Sequence, residues 1–454
     1  MTWSCYLIET WNTKFLVDCG MFQWPKEIAR LNYEPFLFNP SEIDFVLLTH
    51  AHIDHCWILP KLHKDGFDGK IYTTSATRDL CEILFEDSAE IQEKNTEQQN
   101  KRRSRMDQPP RLPLYNKDDA KKCMPLFSIV EYKKNYKITE DIEVRYQDAW
   151  HIMWSASIEI WITENGNLST NVEKKKLVFS WDIGQRNTPI IQDPTLIEDA
   201  DYLFMESTYG DRLHEDSAGK EELLLKYTME TFKRWGKLLI PSFSVERTQE
   251  LLYFFNIIIS KWKFPKEKIF LDSPLSIKAT EIFKKHTEDY DSETLNKYPH
   301  AFSFKELEYS ESVEDSQKLN DYNEPCIIIA GNGMCTAGRI THHIKHGLWN
   351  KRNTLLFVWY QAEWTLWRQI LEWEKRIKIM DAEILVRAEI AKINWFSWHA
   401  GRDQLMKRAG WFTKPPKKTF IIHWEERAQI ALQSKLEEIW FECEIPSLKD
   451  VVEL

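Results

Sequence analysis

Three imidazoles and a carboxylate fall within six residues in His50-Ala51-His52-Ile53-Asp54-His55, directly after the apolar run Asp44–Leu48. A short apolar run of this kind reads as a buried strand, and a loop at its end holds side chains in fixed directions. Imidazole and carboxylate together suit zinc, and a mixed donor set with an open position suits catalysis better than structure. The spacing predicts a rigid loop that chelates two divalent ions. Chance clustering of polar residues does not account for so regular a run.

One loop cannot complete two metal shells, so further ligands must come from other strand ends. His151 follows a strand ending at Asp148, and Asp182 follows Leu177–Ser180. His399 and His423 obey the same logic, while Asp18, closing Phe15–Val17, is placed to orient a ligand through a hydrogen bond. A lone histidine is more often a satisfied core or surface residue. Beside the loop, however, these positions fall where ligands are needed.

Short apolar runs bounded by polar residues predict strands at Tyr6–Ile8, Phe15–Val17 and Phe45–Leu48, then at 142–145, 157–162, 177–180 and 203–206. From Ala76 to about Met106 the apolar period becomes helical, ending in the basic run Lys101–Arg105, which reads as a solvated face favoured by the helix dipole. After Gly210 helices alternate with strands: helical 220–235, strand 238–241, helical 248–259, strand 269–271, helical 277–285. Such alternation predicts a parallel sheet with crossover helices. Cys326–Ala330 and Thr354–Val358 continue the strands, 384–388 and 419–422 follow, and 427–439 is a closing helix. His342, His343 and His346 share one predicted helix, and a solvated or interdomain face describes them better than a metal site.

At 454 residues the chain exceeds one ordinary core, which predicts two domains or a large insertion. With 43% hydrophobic and 29% charged residues it is globular, and disordered and fibrous classes are excluded. No window approaches the roughly 18 apolar residues of a membrane span, and the first residues lack a signal pattern, so a cytoplasmic location is expected. Eight cysteines without a C-x-x-C read as reduced thiols rather than a disulfide framework or zinc ribbon. A net charge of -10 argues against a nucleic-acid coat protein, yet suits a nuclease whose positive charge comes from metal ions.

His50-x-His52-x-Asp54-His55, with His151 and Asp182, resembles the signature of the metallo-β-lactamase fold. Phe204-Met205-Glu206-Ser207-Thr208-Tyr209-Gly210, Ile240-Pro241-Ser242-Phe243-Ser244-Val245-Glu246-Arg247, Asp272-Ser273-Pro274-Leu275 and the run from Gly331 to Arg339 resemble its β-CASP family, as do Phe396-Ser397-x-His399-Ala400 and Ile422-His423-x-Glu425. That family contains the cleavage and polyadenylation specificity factor nuclease and its bacterial and archaeal relatives. The resemblance spans nearly the whole chain. It implies an α/β fold, a metallo-β-lactamase αββα sandwich carrying an inserted β-CASP domain built as a parallel sheet with crossover helices. The implied bounds are 1–214 and 373–454 for the sandwich and 215–372 for the insertion. Such an insertion would cover the metal cleft as a lid and leave a groove that admits a single strand.

The resemblance also implies a chemistry, that of a zinc-dependent ribonuclease acting on single-stranded RNA in processing or decay. Its cofactor would be two zinc ions per chain, one held by His50, His52 and His151, the other by Asp54, His55 and His423, with Asp182 bridging. A bridging hydroxide, formed because bound water is acidified to about pKa 7, would attack phosphorus. His399, partnered by Glu206, would protonate the leaving ribose oxygen. Catalysis would thus fall to Asp54, Asp182, Glu206 and His399, with Asp18 supporting a ligand. Ser242, Arg247, Asn332 and Arg339 are candidate phosphate contacts, although a structural salt bridge is an equal reading of the two arginines. A homodimer is a further possibility. The alternatives are a hydrolase of small esters or thioesters, and an altered, catalytically impaired chain or scaffold.

The last alternative arises from composition. Glycine supplies about 3% of residues, 14 in 454, where roughly 7% is usual, while tryptophan, with 20, supplies roughly 4%. Compared with the family pattern, tryptophan stands where glycine is expected at 3, 11, 24, 57, 150, 154, 181, 359, 364, 367, 373, 395, 424 and 440. Glycine serves where φ is positive or backbones approach closely, and an indole there overfills its site at about 1–3 kcal/mol each. The family's first strand, ahead of Trp3–Ile8, is also expected to be missing.

Overall fold

The computed structural model describes residues 3–454 apart from 24–25, 150, 164–173, 185–189, 191–194, 214–218, 262–263, 289, 299, 334, 336–337, 359–369, 371–374, 380–381, 394–398 and 424. The tryptophans at 24, 150, 359, 364, 367, 373, 395 and 424 therefore lie outside the described residues. The chain divides into two units, one of Met1–His214 with Trp398–Leu454, the other of Glu215–Ser397.

In the first unit a five-stranded sheet runs in the order Tyr6–Glu9, Lys14–Val17, Phe45–Leu47, Lys70–Thr73, Phe127–Ile129. A seven-stranded sheet runs Cys443–Glu444, Lys418–Ile422, Tyr202–Glu206, Lys174–Trp181, Ala156–Thr163, Ile142–Asp148, Asn135–Lys137. Side chains alternate across a strand, and the core follows that alternation. Leu177, Phe179, Phe420 and Ile422 face inward onto Phe15, Val17, Phe45 and Leu47 of the other sheet. Val178, Leu203, Met205 and Ile421 point outward and are covered by Leu405 and Ala409 of helix Arg402–Ala409 and by Leu432 and Leu436 of helix Glu426–Glu437. Beyond the five-stranded sheet lies the long helix Ser75–Ser104, whose Phe85 ring sits 6.3 Å from that of Phe127. The layers are thus αββα, and the basic run that ends the long helix is largely exposed.

The second unit is a six-stranded sheet, in the order Leu307–Tyr309, Lys268–Leu271, Cys326–Gly331, Lys237–Ser242, Thr354–Phe357, Glu389–Lys392, with every pairing parallel. Its central strands are continuously apolar because helices bury both faces. The described residues between 375 and 393, which the sequence reading gave to the sandwich, fall in this unit: Thr354–Phe357 pairs with Glu389–Lys392, and Ile377, Ile379 and Ile384 of the strands Arg376–Ile379 and Ala382–Leu385 join its core.

Candidate metal centre

The residues of the site enter from strand ends of both sheets of the first unit. Strand Phe45–Leu47 delivers Thr49 and His50, and His52 caps a one-turn helix, Ile53–Cys56, that carries Asp54 and His55. Backbone contacts strap this loop down: Ser4 N–H donates to Asp54 O at 2.9 Å, Cys19 N–H to His55 O at 2.7 Å and Met21 N–H to Ile53 O at 3.0 Å. The approach is so close that a Cβ on Gly20 would lie 1.7 Å from the Asp54 carbonyl oxygen. Asp18, in left-handed backbone after Lys14–Val17, accepts from the Thr49 N–H at 2.8 Å and meets His55 Nδ1 at 2.6 Å. That bond assigns the proton to Nδ1 and turns the Nε2 lone pair of His55 inward.

Among the described residues three groups of ligand atoms result, each drawn together within 4.8 Å: His50, His52, His151 and Asp182 make the first, Asp54, His55 and His423 the second, and Asp182, Glu206 and His423, which shares members with both, the third. In the first, His50 Nε2 lies 3.0 Å and His151 Nε2 3.2 Å from His52 Nδ1, and His151 Nε2 lies 3.3 Å from Asp182 Oδ2. In the second, His423 Nε2 lies 3.2 Å from Asp54 Oδ2. Asp182 faces both, with Oδ2 3.6 Å from His50 and 3.7 Å from His55, and Oδ1 3.2 Å from His423 Nδ1. A tetrahedral ion with bonds of about 2.0–2.1 Å holds its ligands about 3.3 Å apart, so these spacings fit a metal in each of the first two groups.

The electrostatics agree with that fit. Burial, reinforced by neighbouring imidazoles, holds His50, His55 and His151 well below the ordinary histidine range, and burial first of all lowers His423 to about 4. Burial also pushes Asp54 up to about 6 and drives Asp182 well above the carboxylate range, helped there by Glu206, Asp54 and Asp18. Neutral imidazoles with inward lone pairs, beside carboxylates that gain from a positive charge, are what a divalent cation binds.

His399 stands at the edge of this cluster, its ring 4.2 Å from that of His151. Its Nδ1 lies 3.0 and 3.2 Å from the two oxygens of Glu206, which is fully buried and also accepts from the backbone N–H groups of Ile183 and Thr208. Burial raises Glu206, but the charge and hydrogen bond of His399 outweigh it and leave the carboxyl below its usual value.

The four candidate phosphate contacts lie in the other unit. Ser242 ends its strand and accepts from Thr248 Oγ1 at 3.2 Å, Arg247 opens helix Arg247–Lys261 with Glu250 at 3.6 Å, and Asn332 follows strand Cys326–Gly331. Arg339 is engaged in the structural salt bridge, with Nη1 2.7 Å from Asp272 and further bonds to the carbonyls of Ser310 and Glu311. Asp272 also binds His343 and Ser316, a network that sequence reasoning missed although Asp272 closes a strand and His343 belongs to the histidine trio. His342 and His346 are exposed, and no metal group forms around the trio among the described residues.

Residues 4–91 match the family model of the metallo-beta-lactamase superfamily, 248–370 that of the Beta-Casp domain, and 383–446 that of the Zn-dependent metallo-hydrolase RNA specificity domain. The chain is 34% identical to a ribonuclease of Thermus thermophilus, over 95% of its own length and 92% of the relative's. It is 30% identical to the transcription termination factor FttA of Methanocaldococcus jannaschii, over 93% of its own length and 65% of that factor's. It is 28% identical to an RNase J-like protein of the same archaeon, over 99% and 95% of the two lengths.

Proposed function

We propose that this chain, which belongs to the β-CASP family of metallo-β-lactamase-fold nucleases, hydrolyses phosphodiester bonds of single-stranded RNA at a two-zinc centre. The observation that carries this reading is Asp182, whose Oδ2 lies between His50 and His151 of one ligand set and His55 of the other. His50, His52, His151 and Asp182 would hold one ion, and Asp54, His55 and His423 the other, with Asp182 beside both sets. Two zinc ions bound there would acidify water near neutral pH and offset charge on the phosphate oxygens. Asp18 fixes the ring of His55, and Glu206 fixes the ring of His399. With Nδ1 turned to Glu206, Nε2 of His399 is the atom that gives a proton to the leaving ribose oxygen. Asn332, after strand Cys326–Gly331, and Arg247, opening the helix after strand Lys237–Ser242, are the candidates to meet the RNA backbone, while Ser242 is fully buried. Among the described residues no helix is long and apolar enough to cross a membrane, and all eight cysteines are free, which supports a reducing compartment such as the cytoplasm.

End-labelled single-stranded RNA tests the reading directly, with elemental analysis of the same preparation. Two zinc ions per chain and cleavage that a chelator abolishes are expected. Thioester hydrolysis without RNA cleavage overturns the substrate, and one ion per chain overturns the two-metal centre.

A further inference from the structure

Four of the described tryptophans occupy left-handed backbone: Trp154 at φ 68°, Trp181 at 44°, Trp235 at 58° and Trp440 at 69°. An L-residue meets its own carbonyl there, and glycine is the default occupant. Each position also has the local geometry that calls for glycine. After helix Lys220–Lys233, Gly236 N–H donates to Thr231 O at 3.1 Å and Trp235 N–H to Phe232 O at 2.9 Å. After helix Glu426–Glu437, Phe441 N–H donates to Leu436 O at 3.2 Å and Trp440 N–H to Glu437 O at 3.1 Å. Both are the paired bonds of a helix-closing Schellman turn, with tryptophan at the glycine position. Trp154 is the third residue of a turn closed by Ser155 N–H on Ile152 O at 3.0 Å, the place where a left-handed residue means glycine. Trp181 lies where the pairing of Tyr202–Glu206 with Lys174–Trp181 slips by one residue, a bulge.

At the two helix ends the indoles stand largely in solvent, where the Trp235 indole N–H donates to the Asn323 carbonyl at 3.1 Å, while Trp181 packs against Tyr6, Phe179 and His55. Trp235 and Trp440 are 59% and 87% exposed. The indole N–H groups of Trp3, Trp57 and Trp181 are buried and meet no acceptor among the described residues. Among the described residues twelve non-glycine residues have positive φ, and tryptophan supplies four of them, against two for aspartate and none for asparagine, the usual substitutes for glycine. Trp161 shows the contrast: mid-strand, its ring is faced by Arg145 at 5.1 Å and Lys176 at 5.2 Å, as a working indole should be.

We infer that positions 154, 181, 235 and 440 carry glycine in the cell that makes this protein, because the gene has UGA there. UGA is the codon that some genetic codes read as tryptophan and others as glycine. A gene written in a glycine-reading code yields tryptophan at its glycine positions when decoded by a tryptophan-reading one, and a glycine deficit appears beside a tryptophan excess. Trp181 matters most for function, since it immediately precedes Asp182 and its ring stands edge-on to His55 at 5.2 Å.

Peptide mass spectrometry of the protein isolated from its native cells, with the gene's codons, tests this inference. Glycine at the four positions with UGA codons is expected, and tryptophan with UGG codons overturns it. A recombinant series gives a second reading: Trp235→Gly and Trp440→Gly should each raise Tm by about 2–4 °C, while Trp161→Gly should lower it. An unchanged or lowered Tm in the first two overturns the inference. Should the tryptophan-bearing chain fail to fold, the native peptides still decide.

Discussion

Asp18 Oδ2 lies 2.6 Å from Nδ1 of His55, and both side chains are fully buried. The same carboxylate accepts from the Thr49 backbone and hydroxyl, so one residue fixes both the entry to the metal loop and the ring that ends it. Asp18→Ala should weaken zinc binding by about 10–100-fold, as expected for a residue that orients a ligand. Competition against a chromophoric chelator measures this, and unchanged affinity refutes it.

Glu206 and His399 form a pair whose work follows metal binding. His399→Ala should lower kcat by about 10²–10⁴-fold, the range for a positioned acid, while both zinc ions remain by elemental analysis. Full activity in that variant removes the proton-donor role. A parallel loss of zinc would instead make His399 part of the metal shell.

Gly20 marks where two backbones touch. Gly20→Val puts atoms into the Asp54 carbonyl, which must move with its loop. A destabilisation at or above the usual overpacking cost of about 1–3 kcal/mol is expected, together with lost zinc. Thermal unfolding and metal analysis of the variant read both, and wild-type zinc content would contradict the rigid-loop account.

Zinc should also stabilise the fold, because the ligands of each group converge only in the native chain, from positions as distant as Asp54 and His423. At a free metal concentration 1,000 times Kd the gain is about 4 kcal/mol. Chelation should therefore lower Tm and lower it further at low metal, a dependence that calorimetry across zinc concentrations would detect.

The histidine-rich loop was legible as a cluster of donors because His50, His52, Asp54 and His55 lie within six positions and a strand end leaves them little freedom. His151, Asp182 and His423 were legible by the same rule. The Thr49–Asp18 bond was not, since a threonine hydroxyl carries no periodic signal and its partner lies 31 residues away. The contact division runs on to Ser397, past the bound of 372, for a related reason: a short apolar strand such as Glu389–Lys392 fits either sheet, and its pairing with Thr354–Phe357 places it in the inserted one. Glycine geometry was half legible. Trp154, Trp181 and Trp440 are left-handed as a glycine position requires, whereas Trp3, Trp11 and Trp57 are not. Trp235, read as the last residue of a helix, is the turn that closes it.

Asp272 is the buried hub of the inserted sheet, bound by Arg339, His343 and Ser316 at once. Burial alone would raise its pKa, but these three partners together hold it below the usual aspartate value. A depressed carboxylate contributes stability that is present above its unfolded pKa, about 3.9, and is lost as pH falls through the lower folded value. Asp272→Ala takes the buried carboxylate from Arg339 and His343, and removing one member of a buried pair typically costs about 3–5 kcal/mol. Denaturant unfolding at pH 7 should show that loss. As pH falls from 5 to 3 the gap between wild type and Asp272→Ala should narrow, because Asp272 of the unfolded chain takes up a proton before the folded one does. A gap that stays constant across this range would assign the cost of the substitution to packing and leave the ion pairs without net effect.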